Sequence, residues 1–426
     1  MAILAPLRCI VCALAVFLSA AAPAVAQRLS ALAAKPDWAR LDAFQETITR
    51  EEFTRLLDTV YAPGGAWQGV IAIGAESAEI TRAFSQPEKY VLRFAMDAAS
   101  AKRVPRRWRA QLPPGPAKKP LAGLRLALDP GHIGGRWALM EERSFSRPGD
   151  APVCEGDMTL LVARLVAKDA RALGAEVSLV RGKAAPLSPF TVDALREPAR
   201  RELALFAPGD VRENYDGPRD PLKTSTVQWQ AERLFYRVAE IRERARLVNQ
   251  KIRPDLVVCI HFNADEWRDF EAPVFTDRND LHVLIHGCYS AGELHYDDER
   301  FEMLLKLLNR SHSAELAAAA PLAAALARTT ALPPFAYLTG NAIRAGDSEY
   351  VWARNLLANR LYECPSIYLE PWRMNHEETY ARIQAGDYEG LRDIAGKARP
   401  SIFREYAAAV IEGLKNHAAS RRGGKK

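Results

Sequence analysis

The apolar run Leu124-Arg-Leu-Ala-Leu128 breaks off in Asp129-Pro-Gly-His132-Ile-Gly-Gly135. A short buried strand that meets a proline and three glycines must turn tightly. Proline cannot donate to a ladder, and glycine adopts backbone angles closed to other residues. The turn delivers His132 to the carboxyl edge of a sheet, where open α/β folds build their sites. A second run, Leu256-Val-Val-Cys-Ile260, delivers His261 to the same kind of place, ahead of Phe262-Asn263-Ala264. Both histidines then project from one sheet edge, which requires a largely parallel sheet.

The remaining pattern agrees. From Leu121 onward, strand-like and helix-like stretches alternate, as a parallel sheet covered on both faces demands. Met158, Leu161, Val162, Leu165 and Leu173 mark one buried helical stripe, with Gly174 as its stop. Strands are expected at 177–180, 281–285 and 366–370, helices at 229–251, within 299–328 and at 402–414. The expected fold class is α/β, an open, mostly parallel sheet flanked by helices and preceded by a small α+β domain. In that domain, residues 27–105, Thr49-Arg-Glu-Glu52 reads as a capping box with Ile48 and Phe53 as its staple. Strands are expected there at 69–73 and 90–94. Five prolines between 105 and 120 mark a stiff linker over 106–120. The catalytic domain is expected over 121–416, with a basic, frayed tail at 417–426.

The first 26 residues read as a secretory signal: Arg8, an apolar run from Cys9 to Ala22, then Ala24-Val25-Ala26 at the cleavage positions. No later stretch has the roughly 20 uninterrupted apolar residues of a membrane span. A periplasmic or secreted protein without a stable membrane span is expected. The formal charge of +6 includes Arg8, Arg421, Arg422, Lys425 and Lys426, and removing those five leaves +1 for residues 27–420. A nearly neutral body speaks against nucleic acid as a partner. Four cysteines remain after cleavage, Cys154, Cys259, Cys288 and Cys364. They form no dense disulfide framework and no CxxC knuckle. One disulfide is compatible with export, but spacing does not select the pair. Cys259 shares a strand face with His261 and so is expected beneath the site.

Two strand-end histidines plus Glu155, just ahead of a helix, make a three-ligand zinc set with an open fourth position. Glu155 alone also reads as a helix N-terminal carboxylate favoured by the macrodipole, and Glu141 and Glu142 compete with it as the carboxylate. Glu370 closes the strand Ser366-Ile-Tyr-Leu369 and emerges at the same edge, where it is placed to accept a proton from water. Pro371 should end the strand there. Glu377 and Glu378 are rival bases. His282 and His286 share one face of their strand, and His286 is a candidate lining residue. His295, His312, His376 and His417 read as solvated. Trp137, Trp267 and Trp372 each follow a motif residue and either stack on sugar rings or pack at the rim.

From about Leu124 to Leu414, two thirds of the chain, the sequence resembles the zinc-dependent N-acetylmuramoyl-L-alanine amidases of type 3. The matching segments are Asp129-Pro-Gly-His132-Ile-Gly-Gly135, Glu155 ahead of Asp157-Met-Thr-Leu-Leu161, Arg244 with Asn249, Cys259-Ile-His261-Phe-Asn263-Ala264, and Ile367-Tyr-Leu-Glu370 trailed by Asn375. The resemblance implies one zinc ion held by His132, Glu155 and His261, with Glu370 as the catalytic base. It implies peptidoglycan as substrate and partner, cleaved between N-acetylmuramic acid and L-alanine, and leaves room for an activator protein. Ile133 is an insertion in the first motif, and Pro371-Trp-Arg-Met stands where the family has Gly-Phe. Residues 183–228, 265–280 and 290–345 are longer than the family's links, and 183–228 is expected to cover or border the cleft. A zinc peptidase acting within the stem peptide needs the same ligands. A non-catalytic wall-binding protein is the reading that the altered Glu370 context motivates.

Overall fold

The computed structural model of the chain describes residues 28–85, 87–206, 211–267 and 274–423. The expected signal segment and the last three residues lie outside these. The amino-terminal unit starts with a 3-10 turn, Trp38–Phe44, and α1 (Arg50–Leu56), which continues through a π turn to Tyr61. Thr49 accepts a hydrogen bond from the Glu52 amide and caps α1. Strands β1 (Ile71–Ile73), β2 (Ser77–Thr81) and β3 (Lys89–Arg93) form an antiparallel sheet in that order. β2 carries little strand signal in the sequence, because its inward residues are only Ala78, Ile80 and Thr81.

The larger part follows. β4 (Arg125–Pro130) leads through a ribbon of β5 (Ser144–Phe145) and β6 (Val153–Cys154) into α2 (Glu155–Ala172) and β7 (Glu176–Leu179). Then come α3 (Arg196–Phe206), α4 (Val227–Arg233) and α5 (Glu240–Leu247), the last two joined by a π segment into one rod ending at Ile252. β8 (Leu256–Ile260) and β9 (Leu281–Ile285) precede α6 (Ala291–Leu294), α7 (Asp297–Leu308) and α8 (Ser311–Thr330). β10 (Ile343–Arg344), β11 (Val351–Ala353), α9 (Leu357–Leu361) and β12 (Ser366–Pro371) complete the sheet. α10 (Glu377–Gln384), a hairpin of β13 (Arg392–Ile394) and β14 (Lys397–Arg399), and α11 (Ile402–Gly423) close the chain.

Seven strands are ordered β10-β11-β9-β12-β8-β4-β7. β7, β4, β8 and β12 run parallel, while β9 meets β12 antiparallel. This is the open, mostly parallel, helix-flanked sheet expected from the sequence. The strand period of two sorts its side chains. Leu126, Leu128, Val258, Ile260, Ile367 and Leu369 pack under α2, α8 and α11. Ala127, Val257, Cys259 and Tyr368 pack on the opposite face, with Ala245 of α5 and Tyr362. β8, β4 and β12 are adjacent, so their carboxyl ends sit side by side.

The amino-terminal unit does not close on itself. Trp38, Phe53 and Leu92 share one apolar cluster with Phe301, Leu304 and Leu308 of α7. Residues 106–120 are also tied down: Trp108 and Leu112 are buried, and Arg109 binds Asp255 through both its amide and Nε.

Three local expectations are corrected. The carboxyl terminus is not a frayed tail from 417, because α11 extends to Gly423. Arg421 donates to the carbonyls of Arg109 and Ala110, and Arg422 to those of Pro113, Pro120 and Ala122. These carbonyls belong to an irregular segment with few backbone partners of its own, so the arginines satisfy them. His417 is not solvated: it is 3% exposed and its Nδ1 lies 3.1 Å from the Ala317 carbonyl. β12 runs one residue past Glu370, with Pro371 opposite Leu281, because a terminal proline can pair without donating.

Candidate metal centre and cleft

Each site residue is placed by a short local device. At the end of β4, Gly131 donates to the Ile260 carbonyl and ties the first motif to β8. A β-carbon on Gly131 would stand 2.3 Å from Cε1 of His261, so only glycine leaves room for that ring. His132 has φ +59, a left-handed conformation uncommon outside glycine. Arg244 holds it there, donating to the Pro130 and His132 carbonyls at 2.8 and 2.7 Å while paired with Asp129 and Glu240. Glu155 is the first residue of α2, and the Thr159 hydroxyl donates to the Gly131 carbonyl at 2.7 Å, locking that helix to the motif. His261 follows β8 and stacks on Tyr368 of β12, with ring centroids 5.2 Å apart and planes 19° from parallel.

These devices bring His132, Glu155 and His261 together, with one ligand atom from each inside a 4.8 Å cluster. His132 Nε2 lies 3.1 Å from one Glu155 oxygen and His261 Nδ1 3.2 Å from the other. Glu155 is 2% exposed. Burial works against its charge, but the two imidazoles outweigh burial and hold its carboxyl well below the usual range. Burial likewise opposes protonating His132, and Glu155 and Glu141 overcome it, raising that imidazole above its ordinary value. A buried carboxylate flanked by two imidazoles is a donor set that fits a metal cation, because the cation would replace the protons this pairing otherwise demands.

Glu141, a rival ligand in the sequence reading, stands behind His132 instead. It accepts from the Ile133 and Gly134 amides at 2.9 and 3.0 Å and lies 3.7 Å from His132 Nδ1. A carboxylate behind a histidine fixes its tautomer and ring direction. Glu142, also in the cleft wall, is outside the ligand cluster and accepts from Lys223 and Trp229 at 3.0 and 3.1 Å. Through these two contacts the long 183–228 insertion and the start of α4 brace the loop that carries Glu141 to Arg143. The described part of the insertion contributes no residue to the cleft wall.

The cleft, about 540 Å³, is lined by the three clustered residues together with Arg143, Asn263, Trp267 and Glu370. Burial pushes the Glu370 carboxyl up to about 7, with His261 opposing and Glu155 adding to the rise. The Asn263 side-chain nitrogen has no hydrogen-bond partner among the described residues. Arg143 Nε lies 3.6 Å from Glu155. No sequence pattern marked Arg143, which sits in an irregular loop.

Other candidates fall elsewhere. Cys259 is buried with Sγ 4.0 Å from Asp129 and is not in the ligand cluster, and no two of the four cysteines are bonded. His286 is buried against Tyr289, 2.8 Å from its hydroxyl, and does not reach the cleft. His282 packs on Phe335. Trp372 is core at 2% exposure, and Trp137 packs against Phe235 in a tilted arrangement. Asn249 ties α5 to Leu361 and Glu363. Glu378 is paired with Lys397 and Arg399. No helix among the described residues is long and apolar enough to cross a membrane.

No protein-family model matches the chain, and no curated protein matches it. Solved structures similar to it are N-acetylmuramoyl-L-alanine amidases. Ami1 from Mycobacterium smegmatis is 16% identical, with a TM-score of 0.37, over 70% of this chain and 99% of that one. The CwlD amidase from Clostridioides difficile, solved in complex with the GerS lipoprotein, is 12% identical at a TM-score of 0.35, over 70% and 99%. AmiC2 of Nostoc punctiforme is 15% identical at 0.33, over 68% and 94%.

Proposed function

We propose that this protein is a zinc-dependent N-acetylmuramoyl-L-alanine amidase, hydrolysing the amide between the lactyl group of N-acetylmuramic acid and the L-alanine of the stem peptide. One observation carries the reading: the His132–Glu155–His261 cluster opens into a cleft that also holds a half-buried, proton-poised carboxyl, Glu370. Zinc held by His132, Glu155 and His261 would supply Lewis-acid polarisation of the scissile carbonyl and of water.

The chain's own residues do the rest. Glu141 keeps His132 turned toward the cluster, and Tyr368 and Gly131 confine His261 from either side. Glu370 accepts a proton from the attacking water and returns it to the departing amine, a role suited to a carboxyl whose affinity for protons lies near neutrality. Asn263 offers an unpaired N–H to the substrate. Export by the amino-terminal 26 residues brings the site to its polymer.

The test is incubation of the mature protein with cell-wall sacculi, with and without chelator, followed by mass analysis. Free stem peptides and unsubstituted lactyl carboxylates, lost on chelation, are expected. Released amino acids or an unchanged wall refute the reading.

A further inference from the structure

A second, smaller pocket of about 90 Å³ adjoins the cleft, sharing His132, Arg143 and His261 with it. Three carboxylates reach its wall, and each is already occupied. Asp129 is bound by Arg244 and the Tyr362 hydroxyl at 2.9 and 2.5 Å. Glu240 is bound by Arg244 and the Leu187 and Ser188 amides. Glu141 is bound by two amides and lies 3.7 Å from His132 Nδ1. Arg244 is likewise consumed by these partners.

What remains unspent in the same wall is positive and hydrogen-bond donating. Arg237 lies over the Tyr236 ring, 5.5 Å from its centroid, and makes no ion pair among the described residues. Tyr236 is 6% exposed, and its hydroxyl, beside the Arg237 side chain, makes no well-formed hydrogen bond among the described residues. Arg143 spends one nitrogen on the Glu142 carbonyl and stands no closer than 3.6 Å to Glu155. A buried hydroxyl whose hydrogen bonding is incomplete costs about 1–3 kcal/mol, and Arg143 and Arg237 line the same pocket, where each guanidinium can donate to a planar anion.

We infer that Arg143, Tyr236 and Arg237 form a carboxylate-binding subsite beside the metal cluster, which holds a carboxylate of the peptidoglycan fragment while the scissile amide lies at His132 and His261. The bearer of that carboxylate rests on the amidase reading, but the anion chemistry does not. Two sources exist, a free carboxylate on the stem peptide and the lactyl carboxylate released by hydrolysis.

Binding separates them. The full chain carrying Glu370→Gln, whose turnover should be about 10²–10⁴-fold slower, is titrated by calorimetry with three ligands. One is a muramoyl dipeptide with a free carboxylate on its second residue. The others are the same compound capped as a primary amide, and N-acetylmuramic acid. The acid should bind at least about tenfold tighter than its amide, as loss of a charge-assisted pair of bonds requires. Adding Arg237→Gln or Arg143→Gln should reduce that ratio to below about twofold, and Tyr236→Phe should weaken the acid alone. Circular dichroism and metal content, unchanged in these variants, guard against misfolding. Arg237-dependent binding of N-acetylmuramic acid without acid–amide discrimination assigns the same subsite to the released carboxylate. Equal binding of all three ligands, or discrimination that survives Arg237→Gln, overturns the subsite. Its failure leaves the sacculus assay unaffected, and a negative sacculus assay leaves the binding ratio interpretable.

Discussion

Replacing Gly131 by alanine should weaken zinc binding at the proposed metal centre without altering His132, Glu155 or His261. The added methyl would stand 2.3, 2.4 and 2.6 Å from Cε1, Nδ1 and Nε2 of His261. Ordinary contact begins near 3.4 Å, so the ring must retreat by about 1 Å. It has nowhere to go, because Tyr368 stacks on its other face. Metal ligation tolerates only about ±0.2 Å. Overpacking of this kind costs about 1–3 kcal/mol. If His261 leaves the cluster to relieve it, that cost is charged against metal binding, and zinc affinity falls roughly 5- to 150-fold. The assay is competition for zinc against a chromophoric chelator, with the melting temperature measured in parallel. Gly182→Ala is the matched control, since nothing lies within 4 Å of a β-carbon there. Wild-type zinc affinity in Gly131→Ala would falsify the claim that His261 is confined between β4 and β12.

Changing Glu370 to Gln should lower turnover by about 10²–10⁴-fold while metal analysis shows full zinc; near-normal turnover moves the base elsewhere in the cleft. His132→Ala should leave a folded protein without zinc, and full occupancy in that variant would exclude His132 as a ligand. Burial pushes His417 down to about 4, whereas an unfolded histidine titrates near 6.5. The unfolded chain therefore binds the extra proton first, so stability holds above about pH 6.5 and falls as pH drops toward 4, by at most about 3 kcal/mol. Melting temperature followed against pH should show a shallower acid decline in His417→Gln, and an identical decline refutes the assignment. Deleting residues 421–426 removes the arginines that bind the carbonyls of residues 109–122, so protease should cut that segment faster; unaltered cleavage would show that the segment holds without them.

What the chain declares by itself is whatever short-range sterics and periodicity control. The strand ends at Pro130 and Ile260 are legible to within about two residues because an apolar run meets glycine and proline or a polar break there. The α2 start is legible to within about two residues, because the helical stripe from Met158 places it just after Glu155, which is the helix's first residue. Given parallel strands, those local facts are enough to gather His132, Glu155 and His261 at one edge. Their surroundings come from elsewhere in the chain. Arg244 finds Asp129 across 115 positions, Tyr362 finds it across 233, and Arg422 reaches Pro113 across 309. Glu141 reads equally well as a ligand or as the support behind one, until the turn at His132 decides which oxygen faces which nitrogen. α7 carries ordinary amphipathic spacing, yet it completes the core of the amino-terminal unit rather than joining its neighbour α8 beneath the sheet. Local pattern states which face of an element must be buried. Only the packed whole decides against what, because each buried charge and apolar face takes the partner that satisfies all the others at once.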